Sequence, residues 1–191
     1  MKTIKILIII SFFFSCNQDE NPIEISSYRS NEKVTLFYSA KMETISVISI
    51  PINLKIENNS NENQIFRNYN YKYGNKQKGN SVNIFLNTDN KLIRQGFTDM
   101  KVIESHENNS YLIRTKHFVD TTKFESNFFK PYIEEMLRLN QDTLNIGTIA
   151  ELEIQHKDLI ENLIQNDSIS LLFLDEESET GFRKELFSAN F

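Results

Sequence analysis

From Lys33 onward the chain alternates apolar and polar side chains in short runs separated by turn residues, which is the period of half-buried β-strands. Lys33 to Ala40 (KVTLFYSA) predicts a first strand. The clearest pattern covers Thr44 to Glu57, where Ile48, Ile50, Ile52, Leu54 and Ile56 alternate with Ser49, Pro51, Asn53, Lys55 and Glu57. Ile45 and Val47 fall on the other parity, and a β-bulge before Ile48 would reconcile the two. Pro51 carries no N–H, so the strand is expected to be unpaired on one side there. After the polar turn 58–63, Gln64 to Tyr73 predicts a strand with Ile65, Tyr69, Tyr71 and Tyr73 on one face. Residues 74–80 (GNKQKGN) read as a hairpin tip, and Ser81 to Asn87 as the return strand with Val82, Ile84 and Leu86 inward. Leu92-Ile93 and Met100 to Ile103 suggest short strands. Tyr111 to Val119 predicts a long one, with Tyr111, Ile113, Thr115, His117 and Val119 sharing a face.

Residues 33–119 therefore hold about six strands spaced by turn signals, the pattern of an immunoglobulin-like β-sandwich. The period then changes. Phe124, Phe128, Phe129, Tyr132, Ile133, Met136 and Leu137 fall on one helical stripe. Pro131 fits only the first turn, so the regular helix is expected to begin between Phe128 and Pro131 and to stop near Asn140. Alternation returns over Thr143 to Ile154, predicting a strand. His156 to Gln165 (HKDLIENLIQ) predicts a second short helix, Ser168 to Leu174 (SISLLFL) a buried strand, and Phe182 to Phe191 a closing strand. The expected fold class is mainly β (α+β): a sandwich with two helices in the C-terminal half. Residues 120–191 are expected to complete one β-rich domain over 33–191, since few linker signals separate the two portions, the alternative being a second α+β unit.

The N-terminus follows another logic. Lys2 and Lys5 precede an apolar run, Ile6 to Phe14, broken only by Ser11. The run is shorter than the roughly 20 residues a transmembrane helix needs, and suits the h-region of a signal peptide. Phe13, Phe14, Ser15 and Cys16 then resemble the lipobox of bacterial lipoproteins of the bacteroidete type, with Phe13 where that family favours Leu. The resemblance implies cleavage after Ser15, diacylglyceryl and N-acyl groups on Cys16, and an outer-membrane lipoprotein that is periplasmic or surface-exposed. Gln18-Asp19-Glu20 resembles the short acidic export signal of such proteins. Residues 1–15 are thus expected to be a signal peptide and 16–32 a lipidated, polar tether. Acyl chains contribute about 0.8 kcal/mol per buried methylene, and one chain alone is a marginal anchor.

Composition supports that reading. Cys16 is the only cysteine in the chain, so no disulfide framework exists. The net charge of −5 becomes −7 once a signal with two lysines and no acids is removed, which argues against nucleic-acid binding.

Candidate chemistry is sparse. His106, His117 and His156 have no metal-ligand spacing, and no metal or cofactor is expected. His117 stands out because it shares parity with apolar residues, as a strand histidine with a single hydrogen bond would. No Gly-x-Ser-x-Gly or phosphate-binding glycine loop is present, and the chain is read as non-enzymatic. The best binding candidate is the cluster Tyr69, Tyr71, Lys72, Tyr73, Lys76 and Lys78, because tyrosines offer rigid amphipathic area and lysines suit anionic groups. Tyrosines on one parity also suit core or cross-strand packing. Asp120-Thr121, Asp142-Thr143 and Asp167-Ser168 resemble bacteroidete O-glycosylation acceptors, at Thr121, Thr143 and Ser168. The expectation is an envelope binding module whose partner is a protein or glycan. The alternative is a lipoprotein immunity or inhibitor protein that presents the acidic loop Asp175, Glu176, Glu177 and Glu179 to a toxin or envelope enzyme.

Overall fold

A computed structural model describes residues 21–74, 82–89, 91–120 and 127–189. In chain order it contains β1 (Ile23–Arg29), β2 (Thr35–Ser39), β3 (Thr44–Ser49), β4 (Pro51–Asn58), β5 (Gln64–Lys72), β6 (Asn83–Thr88) and β7 (Lys91–Gln95). β8 (Lys101–Ile103), β9 (Asn108–Arg114), β10 (His117–Phe118), α1 (Lys130–Leu139), β11 (Thr143–Asn145), α2 (Ile149–Ile164), β12 (Ser168–Leu174) and β13 (Phe182–Ser188) follow. The strand pairs are antiparallel and make three sheets: a front sheet β1-β4-β9-β6-β7, a back sheet β13-β12-β5-β8 and an end sheet β10-β3-β2-β11. The chain is mainly β, with a sandwich and two helices in its C-terminal half, as its periodicity implies.

Two cores divide this architecture. Ile52, Leu54, Ile56, Ile84, Tyr111 and Ile113 of the front sheet face Phe66, Tyr71, Ile103, Ile169, Leu171 and Phe173 of the back sheet. The second core joins Leu36, Ile45, Ile48 and Ile50 to Phe129 and Met136 around α1 and to Ile149, Leu152 and Ile160 of α2. The run predicted as one strand over Thr44 to Glu57 serves both cores. Its inward parity continues from Ile48 to Ile56, but the chain leaves the end sheet at Ser49 and enters the front sheet at Pro51. The run over Tyr111 to Val119 breaks in the same place, between β9 and β10.

Thr115 holds this corner. Its backbone N–H donates to the Ile50 carbonyl at 3.0 Å, and its Oγ1 accepts from the Ile50 N–H at 3.1 Å and lies 3.1 Å from the same carbonyl. A buried hydroxyl thus replaces the ladder bonds lost where the strands change sheets. Pro51 is the first residue of β4, and β1 pairs only from Ile52, so its missing N–H disrupts no ladder. The expected bulge lies at Ser46, between the pairs Phe37–Val47 and Tyr38–Ile45, and brings Ile45 and Ile48 into one core.

Three expectations are corrected. The tether expected over 16–32 contains β1, an edge strand with Ile23 buried and Ile25 half-buried against the sandwich core. In β5 the register shifts by one residue at Arg67, so Phe66 rather than Ile65 joins the tyrosines inside. The strand expected over Thr143 to Ile154 ends at Asn145. From Thr148 a capping box takes over: Thr148 Oγ1 accepts from the Glu151 N–H, and the Glu151 carboxylate accepts from the Thr148 N–H at 2.7 Å. Gly147 precedes it at φ +112°, where a Cβ would sit 2.9 Å from that carboxylate. The helix expected from His156 is the second part of α2, beyond a non-helical His156 (φ −143°, ψ 47°).

Strand direction gives the molecule two poles. The front-sheet and back-sheet ends at Ile23, Asn58, Gln64, Ile103, Asn108 and Leu174 gather at one pole. The end sheet and both helices form the other. No helix among the described residues is long and apolar enough to cross a membrane.

Candidate functional site

β5 lies between β12 and β8 in the back sheet, with its tyrosines turned toward the front sheet. The expected hairpin does not form, because β5 pairs in the back sheet and β6 in the front sheet. Tyr69, Tyr71 and Tyr73 are 6%, 1% and 5% exposed, so the tyrosine contact surface expected there is corrected to core. The alternation is real, but β12 covers the strand on one side and the front sheet covers the inward face. Lys72 is exposed on the opposite parity, while Lys76 and Lys78 lie outside the described residues. Burial pushes the Tyr71 hydroxyl well above its ordinary pKa, and pushes Tyr73 up to about 12.

These rings enclose a polar cluster at the junction of the two cores. The Tyr71 hydroxyl donates to Asp167 Oδ2 at 2.7 Å. Asp167 precedes β12 and is buried. His117, on β10 of the end sheet, reaches in from the other core and places Nε2 3.7 Å from the same carboxylate oxygen. Its ring stands edge-on to Tyr73 at 5.0 Å and to Tyr71 at 6.1 Å. The Tyr73 hydroxyl accepts the backbone N–H of Lys116 at 2.9 Å. Gly74 closes the wall at φ +47°, and a Cβ there would come 2.5 Å from the Gln165 carbonyl oxygen.

The electrostatics oppose two charges here. Burial lowers the His117 pKa to about 3, against a backbone hydrogen bond with Leu163, so the imidazole is neutral at pH 7. Burial raises Asp167 to about 6, against the Tyr71 hydroxyl and the Gly74 amide that favour the carboxylate. At 3.7 Å the His–Asp contact exceeds hydrogen-bond length, and among the described residues His117 Nε2 and Asp167 Oδ1 have no hydrogen-bond partner. The pair is buried, with side chains 4% and 1% exposed.

Lys101 is a second buried charge. Its ammonium donates to the carbonyls of Arg67, Gly96 and Asp99 at 3.0, 2.8 and 2.6 Å, using all three N–H bonds. Phe66 and Tyr69 lie against it at 5.5 and 5.4 Å. Burial lowers its pKa, and Asp99 opposes the shift. This side chain ties the turn after β7 to the back sheet.

The other candidates are dispersed. His106 is exposed, with Nε2 2.9 Å from Asn61 Oδ1, and His156 packs edge-on to Phe128 at 4.7 Å. Among the described residues no three His, Cys, Asp or Glu side chains gather as metal ligands. Thr143 opens β11 opposite Phe37, and Ser168 opens β12 between Lys72 and Ser188. Cys16 and Thr121 lie outside the described residues. A groove of about 570 Å³ beside Tyr69, Val82, Arg94 and Phe97 carries one cation, and another of about 510 Å³ beside Asn63, Val102, Glu104 and Glu107 is acidic.

Sequence reasoning singled out His117 by its parity but missed Asp167, which reads locally as a turn or glycosylation residue. No protein-family model matches the chain, and no curated protein is similar to it. Among solved structures it is similar to a FixG-related protein from Vibrio parahaemolyticus, over 88% of this chain and 97% of that one, at 11% identity. The TM-score of that match is 0.31.

Proposed function

We propose that this protein is a cell-envelope lipoprotein whose domain acts by binding rather than by catalysis. The observation that carries the proposal is the N-terminal pattern: Lys2 and Lys5, the apolar run to Phe14, then Ser15 and the chain's single cysteine, Cys16. β1 begins at Ile23, so the domain follows the acylated residue closely. The buried His117–Asp167 pair suits a scaffold, since a general acid or base must reach its substrate. Cys16→Ser tests the anchor: the variant moves from the membrane to the soluble fraction, and an unchanged membrane fraction refutes it.

One observation favours the immunity or inhibitor reading. The Asp175–Glu179 loop lies at the same pole as Glu62, Glu104 and Glu107, which makes a larger acidic face than the loop alone. In that reading, reversing Glu176 and Glu177 to Lys abolishes binding to the envelope partner that co-purifies with the protein. Unchanged binding rejects it.

A further inference from the structure

The pole where β1 starts governs how the domain meets a lipid surface. Seven chain steps separate Cys16 from Ile23, and even fully extended they reach at most about 25 Å. Ile23 is fixed: it pairs with Asn58, whose neighbour Asn59 donates its N–H to the Pro22 carbonyl at 2.8 Å. The Asn58 side chain also bonds the carbonyls of Glu62, Ile103 and Glu104, which fastens the turns 59–63 and 104–107 around the same point. β4 leads away from this pole for eight residues, about 26 Å, before the end sheet begins. The β2–β3 hairpin, with Met42 60% exposed at its tip, lies beyond the corner at Ile50.

Resting on the lipid-anchor reading, we infer that the domain stands on the pole formed by the 59–63, 104–107 and 175–181 turns, and presents the end sheet and both helices outward. The near pole carries Glu62, Glu104 and Glu107 with the Asp175–Glu179 loop, against Lys91 in the β6–β7 turn, while Glu57 is paired with Lys55; the acidic excess repels anionic headgroups within a Debye length of about 8–10 Å. The tether, not attraction, keeps it near the membrane. A partner in solution therefore meets the end sheet, α1 and α2 first, and the acidic loop sits behind the domain.

The single cysteine makes this measurable. Acylated Cys16 has no free thiol, so Glu62→Cys and Met42→Cys each provide one labelling site, at the near and far pole. The purified lipoprotein is reconstituted in vesicles of phosphatidylethanolamine and phosphatidylglycerol carrying an acceptor dye on the headgroups. Energy transfer from the Glu62→Cys site is expected to be at least several-fold more efficient than from Met42→Cys. Equal or reversed efficiencies overturn the orientation while leaving the anchor intact. Maleimide uptake by the parent protein would show a free Cys16 thiol and overturn both. Binding of the Cys16→Ser domain to the same vesicles would also overturn the orientation, because a surface of the domain would then adhere without the tether.

Discussion

Replacing Asp167 with Asn removes one buried charge and keeps an acceptor for the Tyr71 hydroxyl. The folded pKa of about 6 stands above the unfolded value of 3.8, so the native state binds this proton more tightly. That difference corresponds to roughly 3 kcal/mol by which ionisation at pH 8 weakens the fold. Asp167→Asn is therefore expected to stabilise the protein by about 1–3 kcal/mol at pH 8, less whatever its new N–H bonds lose by burial. His117 has the opposite sign: its pKa falls from 6.5 to about 3 on folding, so stability is lost as the pH drops through that window. Between about pH 6 and 4 the two slopes cancel in the wild type, which stays level and then weakens below pH 4. The Asn variant lacks the compensating slope and declines continuously from about pH 6.5, meeting the wild type near pH 4. Urea unfolding at about pH 8, 6, 5 and 4 measures this. A variant less stable than wild type at pH 8, or a difference that grows as the pH falls, refutes the reasoning.

Two further outcomes follow from buried polar groups. Thr115→Val preserves shape but leaves the Ile50 N–H without its acceptor where the strands change sheets, and should cost about 1–3 kcal/mol in urea unfolding. Lys101→Met removes the donor shared by three carbonyls and should cost about 2–4 kcal/mol, with faster amide exchange in the 96–99 turn; unchanged exchange there would show that the lysine does not hold it.

The elements with strict alternation were legible because one face of each meets a core. That held for β4, β6 and β12, and the misplaced phase before Ile48 pointed correctly to a bulge. The sheet change at Ile50 was not legible, since the same inward parity serves both cores. The tyrosines of β5 show why a pattern cannot choose between surface and core: the front sheet covers their rings and β12, about a hundred residues later in the chain, flanks the strand. Asp167 was invisible for the same reason, its partners Tyr71 and His117 being distant in sequence. β1 was hidden by polar neighbours around Ile23 and Ile25. The start of α2 was legible in principle: Thr148-x-x-Glu151 after Gly147 is a capping box, and the apparent alternation to Ile154 ends on a residue 87% exposed.

The proposed anchoring, orientation and envelope role all depend on lipidation of Cys16. The intact mass of protein extracted from membranes tests it directly. The expected mass is that of a chain beginning at Cys16 that carries a diacylglyceryl group and a further acyl chain. A mass equal to the unmodified chain, whether it begins at Met1 or after the signal, would contradict it.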